Sequence, residues 1–349
     1  MKDELTKIVL YISGVFALFI FIIVRFEESP KFLLNPALYE TESKGIYGDL
    51  YDLNLLEYFK IPVYDGGIMF SKKGNVNTLD SSGVVLFGDS FFGGTSSKSL
   101  FHERLQGLIN LKTFFSNADA PLMELAKLKL NSSKKRLFVF EIVERRIADY
   151  FKTSQKSEDK VGFIKSIKGS LFNKVETKYD YLLHKSLLTS YFYEIINSFK
   201  FNYLNYISDL TPVYSVNPPW LFYHQEVSNK NTGFYYNFSE KEIEEICINI
   251  LDLKNKIKEI YNMEFVIIPV PNKYTIYHKI INNDLYNNFL PKLYDGLKKN
   301  GVPCIELYRD FITSEKTLYF STDTHWNEDG EKIALQKLSQ FILSQKYLY

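Results

Sequence analysis

The sequence is poor in cysteine and histidine, and this limits the kinds of site that it can build. Its 349 residues include Cys247, Cys304 and five histidines, with no CxxC pair and no Cys/His cluster at metal-ligand spacing. A structural zinc site is therefore not expected. One disulfide in an oxidising compartment and two free thiols both stay open, and two buried free thiols are the simpler interpretation.

The chain also lacks an excess of charge of either sign. Its 42 Lys and Arg residues are nearly balanced by 41 Asp and Glu residues. The broad positive field with which proteins neutralise nucleic-acid phosphates is therefore missing, and we expect no nucleic-acid partner. No motif calls for a metal or a nucleotide, so no cofactor is expected. Aromatic residues make up 16% of the chain, which is typical of an ordered globular protein.

One uncharged run stands near the N-terminus. Residues 8–24 (IVLYISGVFALFIFIIV) contain 17 residues without a charge, between Lys7 and Arg25. A helix of that length spans roughly 26 Å, close to the thickness of a bilayer core. Charged residues follow it, whereas a cleaved signal peptide ends in small residues. We therefore predict an uncleaved membrane anchor within residues 1–28, with the rest of the chain extracytoplasmic, in the periplasm or at the outer face of the cytoplasmic membrane.

The remainder divides into a connection and one α/β domain. Scattered prolines and glycines over residues 29–80 predict a juxtamembrane connection, and residues 81–349 carry the main domain. Short apolar runs predict four buried strands, and the stretches between them predict helices. Such alternation favours a parallel sheet covered on both faces, and hence a flavodoxin-like three-layer α/β/α sandwich. Residues 151–238 break the alternation and are interpreted as an insertion. The predicted strands are 83–87, 136–143, 264–270 and 303–307, and the predicted helices include 100–111, 239–261, 285–299 and 330–343.

A motif directly after the first predicted strand contains the candidate nucleophile. Residues 87–91 read FGDSF, which places Ser90 at the carboxyl end of a strand, the edge at which open α/β sheets bind ligands. The turn that follows can point backbone N–H groups at an oxyanion, and Gly93 and Gly94 permit close backbone approach. Taken alone, Gly-Asp-Ser is also a common turn sequence.

A base for this serine is found near the C-terminus, where residues 321–330 read STDTHWNEDG. A serine hydroxyl needs a base to remove its proton, and an imidazole needs a carboxylate to fix its tautomer. Asp323 and His325 point the same way on an extended stretch. Asp323 can then reach one ring nitrogen while the other faces Ser90. The alternative is a surface loop that caps the next helix, for which one of residues 327–329 is better suited.

Four motifs together resemble the SGNH/GDSL hydrolase superfamily. They are FGDSF, ERR after a middle strand, PVPNKYTIY after a later strand, and DTHW. The D-x-H-W form is similar to the branch of alginate O-acetyltransferases and related polysaccharide-acetylating proteins, whereas ordinary GDSL esterases carry D-x-x-H. The resemblance spans roughly residues 80–340. It implies an SGNH fold with Ser90 as nucleophile, His325 as base and Asp323 as the partner that orients the base.

The sequence departs from the superfamily at the oxyanion donor. No G-x-N-D block is present, so the asparagine donor of ordinary SGNH esterases is missing. Arg145, in the ERR motif, is our candidate for an oxyanion or acidic-sugar contact, and a salt bridge with Glu141 or Glu144 is the equal alternative. Three further side chains are candidate substrate contacts, with a solvated loop or the hydrophobic core as the alternative; they are Lys273, Tyr277 and Trp326.

The resemblance also implies an activity and its partners. We expect an O-acetyltransferase that moves an acetyl group through Ser90 to an extracytoplasmic polysaccharide, with a multi-spanning membrane O-acyltransferase as the acetyl donor. An acetylesterase that deacetylates a glycan with the same residues is the nearest alternative. A noncatalytic glycan-binding subunit of a polysaccharide secretion complex is a third possibility, against which the intact triad residues weigh.

Overall fold

The computed structural model describes most of the domain and little of the N-terminal region. The described residues are 11, 14–15, 47–63, 78–93, 100–117, 121–127, 134–152, 187–228, 233–282 and 285–345. The predicted anchor at residues 8–24 falls almost wholly outside them. Within the described part of the chain, no helix combines the length and the apolar character that crossing a bilayer requires.

Six strands are described, and four of them form the central sheet. The strands are β1 (Val84–Gly88), β2 (Thr113–Asn117), β3 (Arg136–Val143), β4 (Val213–Ser215), β5 (Trp220–Phe222) and β6 (Met263–Val270). The sheet is parallel throughout, in the order β2-β1-β3-β6, whereas β4 and β5 form a separate antiparallel pair. Beyond β6, Cys304 adds one parallel bridge to Ile267. This arrangement confirms the predicted α/β fold with a parallel sheet.

The central strands form because their sequences are apolar at almost every position. Every residue of β1 and of β3 is buried, which requires cover on both faces of the sheet. The predicted strands 83–87, 136–143 and 264–270 are each confirmed to within one residue, while 303–307 contributes only the bridge at Cys304. Strand β2 was not predicted, because an edge strand ending in Ser116 and Asn117 carries little apolar signal.

Helices cover the sheet in two groups. The described helices are α1 (Asp49–Asp52), α2 (Ser90–Gly93), α3 (Phe101–Ile109), α4 (Pro121–Lys127), α5 (Glu144–Phe151), α6 (Leu187–Leu204), α7 (His224–Val227), α8 (Glu240–Tyr261), α9 (Lys273–Ile281), α10 (Phe289–Lys299), α11 (Tyr308–Ile312) and α12 (Glu328–Ser344). In one group α8 contacts α5, α10 and strand β6, and in the other α3 contacts α12 and strand β2.

Capping residues explain where these helices begin and end. Ser239 caps α8 through a reciprocal pair of hydrogen bonds with Glu242. Asn110 adopts the left-handed conformation and ends α3 two residues before its predicted end. Asn288, at φ 60°, likewise delays the start of α10. Asn327 caps α12 by accepting hydrogen bonds from two backbone N–H groups.

Both cysteines are free thiols. Cys247 is buried in α8, and Cys304 is half-buried at the edge of the sheet. The interpretation of two free thiols is therefore confirmed. Cys304 is only half-buried, however, whereas both thiols were expected to be buried.

Candidate active site

Ser90 lies at the carboxyl end of β1, where a buried acid on the neighbouring strand shapes the turn. Glu141 of β3 accepts a hydrogen bond from the Asp89 backbone N–H at 2.8 Å. The approach is possible because residue 88 is glycine: a Cβ there would lie 2.4 Å from Glu141 Oε2. The Asp89 side chain then accepts from the Phe91 N–H at 3.0 Å. Half-buried Ser90 is thus fixed at the first position of α2.

Asp323 and His325 lie on a tight loop, residues 318–327, that we call the triad loop. An antiparallel bridge joins Tyr319 to Trp326 across it. The Phe320 N–H also donates to the His325 carbonyl at 3.2 Å. These bonds join the two sides of the loop at its base. The side chains of Asp323 and His325 lie on the side of the loop that faces Ser90.

The predicted contacts among the three residues are present. Ser90 Oγ lies 2.6 Å from His325 Nε2, and Asp323 Oδ1 lies 2.6 Å from Nδ1 of the same ring. Asp323 Oδ1 also accepts the His325 backbone N–H at 2.8 Å. The Phe91 ring packs on the imidazole, with centroids 5.0 Å apart. The imidazole can therefore accept the serine proton while its other nitrogen donates to the carboxylate.

The charges around His325 favour its protonated form. Burial alone lowers the pKa of an imidazole. At His325 the Asp323 carboxylate and its hydrogen bond, together with Asp49 and Asp89, outweigh burial and raise the pKa to about 9. Burial also raises the pKa of Asp323, but the neighbouring imidazolium and the hydrogen bonds lower it to about 2. Asp323 is therefore ionised at neutral pH and stabilises a proton on the His325 ring.

Lys273 does not reach a substrate, which corrects our prediction for this residue. Its side chain is fully buried, and Nζ donates to the carbonyls of three triad-loop residues, at 3.1, 3.1 and 2.7 Å. It also lies over the rings of Trp220 and Phe222. Burial lowers its pKa to about 8 in spite of nearby carboxylates. Lys273 therefore ties the triad loop to α9; the three acceptor residues are Phe320, Ser321 and Asp323.

We expect Lys273→Met to lower the free energy of unfolding by about 3–5 kcal/mol, because three buried carbonyls lose their shared donor while the apolar volume is kept. Urea unfolding monitored by circular dichroism measures the loss. Lys279→Met is the matched control, since Lys279 lies on the same helix and is exposed. A loss no larger than that of the control would show that the lysine does not stabilise the loop.

Trp326 belongs to the core and not to a sugar-binding wall, a second correction. Only 1% of it is exposed, and its ring lies against Phe91, Phe101 and Phe311. Tyr277 is half-buried, and its hydroxyl accepts a hydrogen bond from the Leu318 N–H at 2.7 Å. Both aromatic residues therefore support the triad loop from beneath.

Arg145 pairs with a glutamate that the sequence did not reveal. Its guanidinium donates to Glu226 at 3.1 Å and lies over the Tyr223 ring, so neither of the expected partners, Glu141 and Glu144, forms the salt bridge. Glu226 is fully buried and also accepts the Tyr274 N–H at 3.0 Å. The alternative of a structural ion pair is thus observed, with a partner from α7.

The glycines proposed near the oxyanion are only partly described. Gly93 is the last residue of α2, and Gly94 lies outside the described residues. Their expected role stays a prediction.

Asp49, Asp323 and His325 bring three metal-ligand donor atoms within 4.8 Å of one another. The donors are engaged in hydrogen bonds, however: Asp323 with His325, and Asp49 with the backbone and hydroxyl of Thr324. We therefore interpret the cluster as a hydrogen-bond network around the base.

Residues 213–348 match the SGNH hydrolase-like domain of acetyltransferase AlgX. The predicted family resemblance is confirmed. The AlgX-like segment contains Asp323 and His325 but not Ser90, and it covers less than half of the chain. No match was found among curated proteins or solved structures.

Proposed function

We propose that the protein is an O-acetyltransferase that carries an acetyl group on Ser90 and transfers it to a hydroxyl of a polysaccharide. The observation that carries the proposal is the chain of contacts from Ser90 Oγ through the His325 ring to Asp323, in a chain that matches an acetyltransferase domain. Ser90, His325 and Asp323 are accordingly proposed as nucleophile, base and orienting carboxylate.

In the first half-reaction, Ser90 Oγ attacks the carbonyl carbon of an acetyl ester while His325 Nε2 takes the serine proton. The tetrahedral intermediate collapses, the bond to the donor oxygen breaks, and His325 returns its proton to that leaving oxygen. The acetyl group is then held as an ester of Ser90. Backbone N–H groups of the turn after β1 are the proposed oxyanion donors.

In the second half-reaction a sugar hydroxyl attacks the acetyl-serine while His325 accepts its proton. Collapse of this intermediate breaks the bond to Ser90 Oγ, His325 returns the proton to that oxygen, and the acetylated sugar is released. Because water is far more concentrated than any glycan, transfer requires that the acceptor be bound next to the ester. We propose the extracytoplasmic face of the membrane as the location and a multi-spanning O-acyltransferase as the acetyl donor, as the family resemblance implies.

The test is an assay of the full-length protein in detergent with an activated acetyl ester, with and without candidate oligosaccharides. Mass spectrometry follows acetate, acetylated sugar and, after acid quenching, the peptide that contains Ser90. We expect an acetyl group on that peptide and on the sugar. Acetate as the sole product would instead indicate an acetylesterase. Absence of turnover would favour a noncatalytic glycan-binding subunit.

A further inference from the structure

The triad loop is bound by a segment that lies far from it in sequence and outside the AlgX-like match. Residues 47–54, which we call the connector, include α1 and precede the sheet. The backbone N–H groups of Leu50 and Tyr51 donate to the Thr322 carbonyl at 3.1 and 3.2 Å. Thr322 Oγ1 in turn donates to the Tyr47 carbonyl at 2.7 Å. The connector is therefore hydrogen-bonded to the triad loop at Thr322, the residue just before Asp323.

Asp49 of the connector contacts the proposed triad directly. Its backbone N–H donates to Asp323 Oδ2 at 2.9 Å, the oxygen that the imidazole leaves free. Its carboxylate accepts the Thr324 N–H at 2.8 Å and the Thr324 hydroxyl at 2.5 Å. One residue thus fixes the orientation of the Asp323 carboxylate and the backbone between Asp323 and His325.

Gly48 makes this approach possible. It adopts φ 90°, a conformation that side chains disfavour, and a Cβ on it would lie 2.3 Å from the Thr322 carbonyl oxygen and 2.8 Å from Asp323 Cβ. A larger residue would therefore push the connector off the loop.

The connector is itself held in place, so it can act as a fixed support. Leu50 and Tyr51, together with half-buried Tyr47, pack with Ile207 and Leu221 in a small core of their own. Buried Asn54 accepts a hydrogen bond from Thr211 Oγ1 at 2.8 Å. Leu221 N–H also donates to the Ser321 carbonyl at 3.0 Å, which joins this small core to the triad loop.

We propose that Asp49 is a positioning residue of the triad and that the connector is needed for activity. Asp49 holds the carboxylate that holds the base, and it adds negative charge close to the imidazolium. The inference rests on the proposed function of Ser90, His325 and Asp323. If Asp49 has this role, the site depends on residues 47–54 as well as on the segment that matches the SGNH hydrolase-like domain.

The experiment compares full-length wild-type protein with Asp49→Ala, Asp49→Asn and Gly48→Ala in steady-state hydrolysis of an acetyl ester. Glu57→Gln is the matched control, because Glu57 follows the connector closely and is exposed. We expect Asp49→Ala and Gly48→Ala to lower kcat by about 100-fold, the order of effect that a misplaced catalytic group produces. KM stays unchanged because Asp49 is not placed against the substrate, and thermal melting verifies that each variant is folded.

The pH profile separates positioning from general loss of structure. The rate rises as His325 loses its proton, so the acid limb of kcat/KM reports the pKa of the base. The charged groups near Asp49 are Asp323, His325 and Lys273. Asp49→Asn keeps a side chain that can hydrogen-bond but removes one negative charge, and we expect the acid limb to move to lower pH.

Titration of His325 by NMR of ¹³C-histidine-labelled protein gives a readout that does not need turnover. His325→Asn assigns the signal among the five histidines. We expect the His325 titration of Asp49→Asn to shift to lower pH. An unshifted titration together with an unchanged kcat in Asp49→Ala would overturn the proposal. If the wild type shows no Ser90-dependent turnover, the proposed function fails, and the NMR titration alone decides whether Asp49 supports the base.

Discussion

Ser90→Ala is expected to lower kcat/KM for acetyl-ester turnover by on the order of a thousandfold or more. In the proposed mechanism the hydroxyl oxygen forms the acetyl ester, and Ser90 Oγ lies 2.6 Å from His325 Nε2. Alanine leaves the imidazole and the carboxylate in place with no nucleophile between them and the donor. What remains is catalysis by binding and by the oxyanion donors alone.

The same change has little reason to affect folding. Ser90 is half-buried and follows the carboxyl end of β1. Hydrogen bonds to the side chains of Glu141 and Asp89 hold the turn around it. We therefore expect an unchanged melting temperature. Ser116→Ala, on the edge strand β2, is the matched control for loss of a serine hydroxyl. Equal rates for Ser90→Ala and wild type would show that turnover does not pass through this residue.

The sheet could be predicted from the sequence because its inner strands carry their own signal. Strands β1 and β3 are apolar at almost every position, since both faces of a central parallel strand are covered. The contact of Ser90 with His325, and of His325 with Asp323, could also be predicted. A serine nucleophile needs an imidazole base, the imidazole needs a carboxylate, and the two motifs contain these residues. The fold brings Ser90 and His325 into contact although they are 235 positions apart in the sequence.

The supports of the site could not be predicted, because their signals are nonlocal. Asp49 meets Thr324 across 275 positions, and no periodicity or motif relates the two. Glu226 comes from the segment interpreted as an insertion and pairs with Arg145 of α5. For Lys273 the ordinary expectation was misleading: lysine is almost never fully buried, and here three carbonyls of one loop supply the exception.

Glu141 is another residue whose role in the site could not be predicted from the sequence. The sequence suggests only a salt bridge between Glu141 and an arginine, whereas Glu141 accepts the Asp89 N–H and fills the space that Gly88 leaves. Burial, and next the neighbouring Asp89 carboxylate, raise its pKa well above the ordinary value. Its position near Ser90 therefore favours the neutral form of this carboxyl group more than an exposed position would.

Asp323→Asn is expected to lower kcat by on the order of 10⁴-fold, because no orientation of the amide reproduces the carboxylate. Asp323 Oδ1 accepts from the His325 ring and backbone, and Oδ2 accepts from the Asp49 N–H. An amide has one acceptor oxygen and one donor group. If the NH₂ group faces His325, it favours the tautomer with the proton on Nε2, which then cannot accept a proton from Ser90.

If the amide turns the other way, its NH₂ group meets the Asp49 N–H in a buried donor–donor contact, at a cost of about 1–3 kcal/mol. We therefore expect a lower melting temperature as well as the loss of rate. Asp329→Asn is the matched control, since Asp329 lies just beyond the triad loop, in the first turn of α12, and its exposed carboxylate pairs with Lys316, which precedes the loop. Wild-type kcat in Asp323→Asn would mean that His325 needs no carboxylate. A loss of stability without a loss of rate would assign Asp323 to the loop and not to the base.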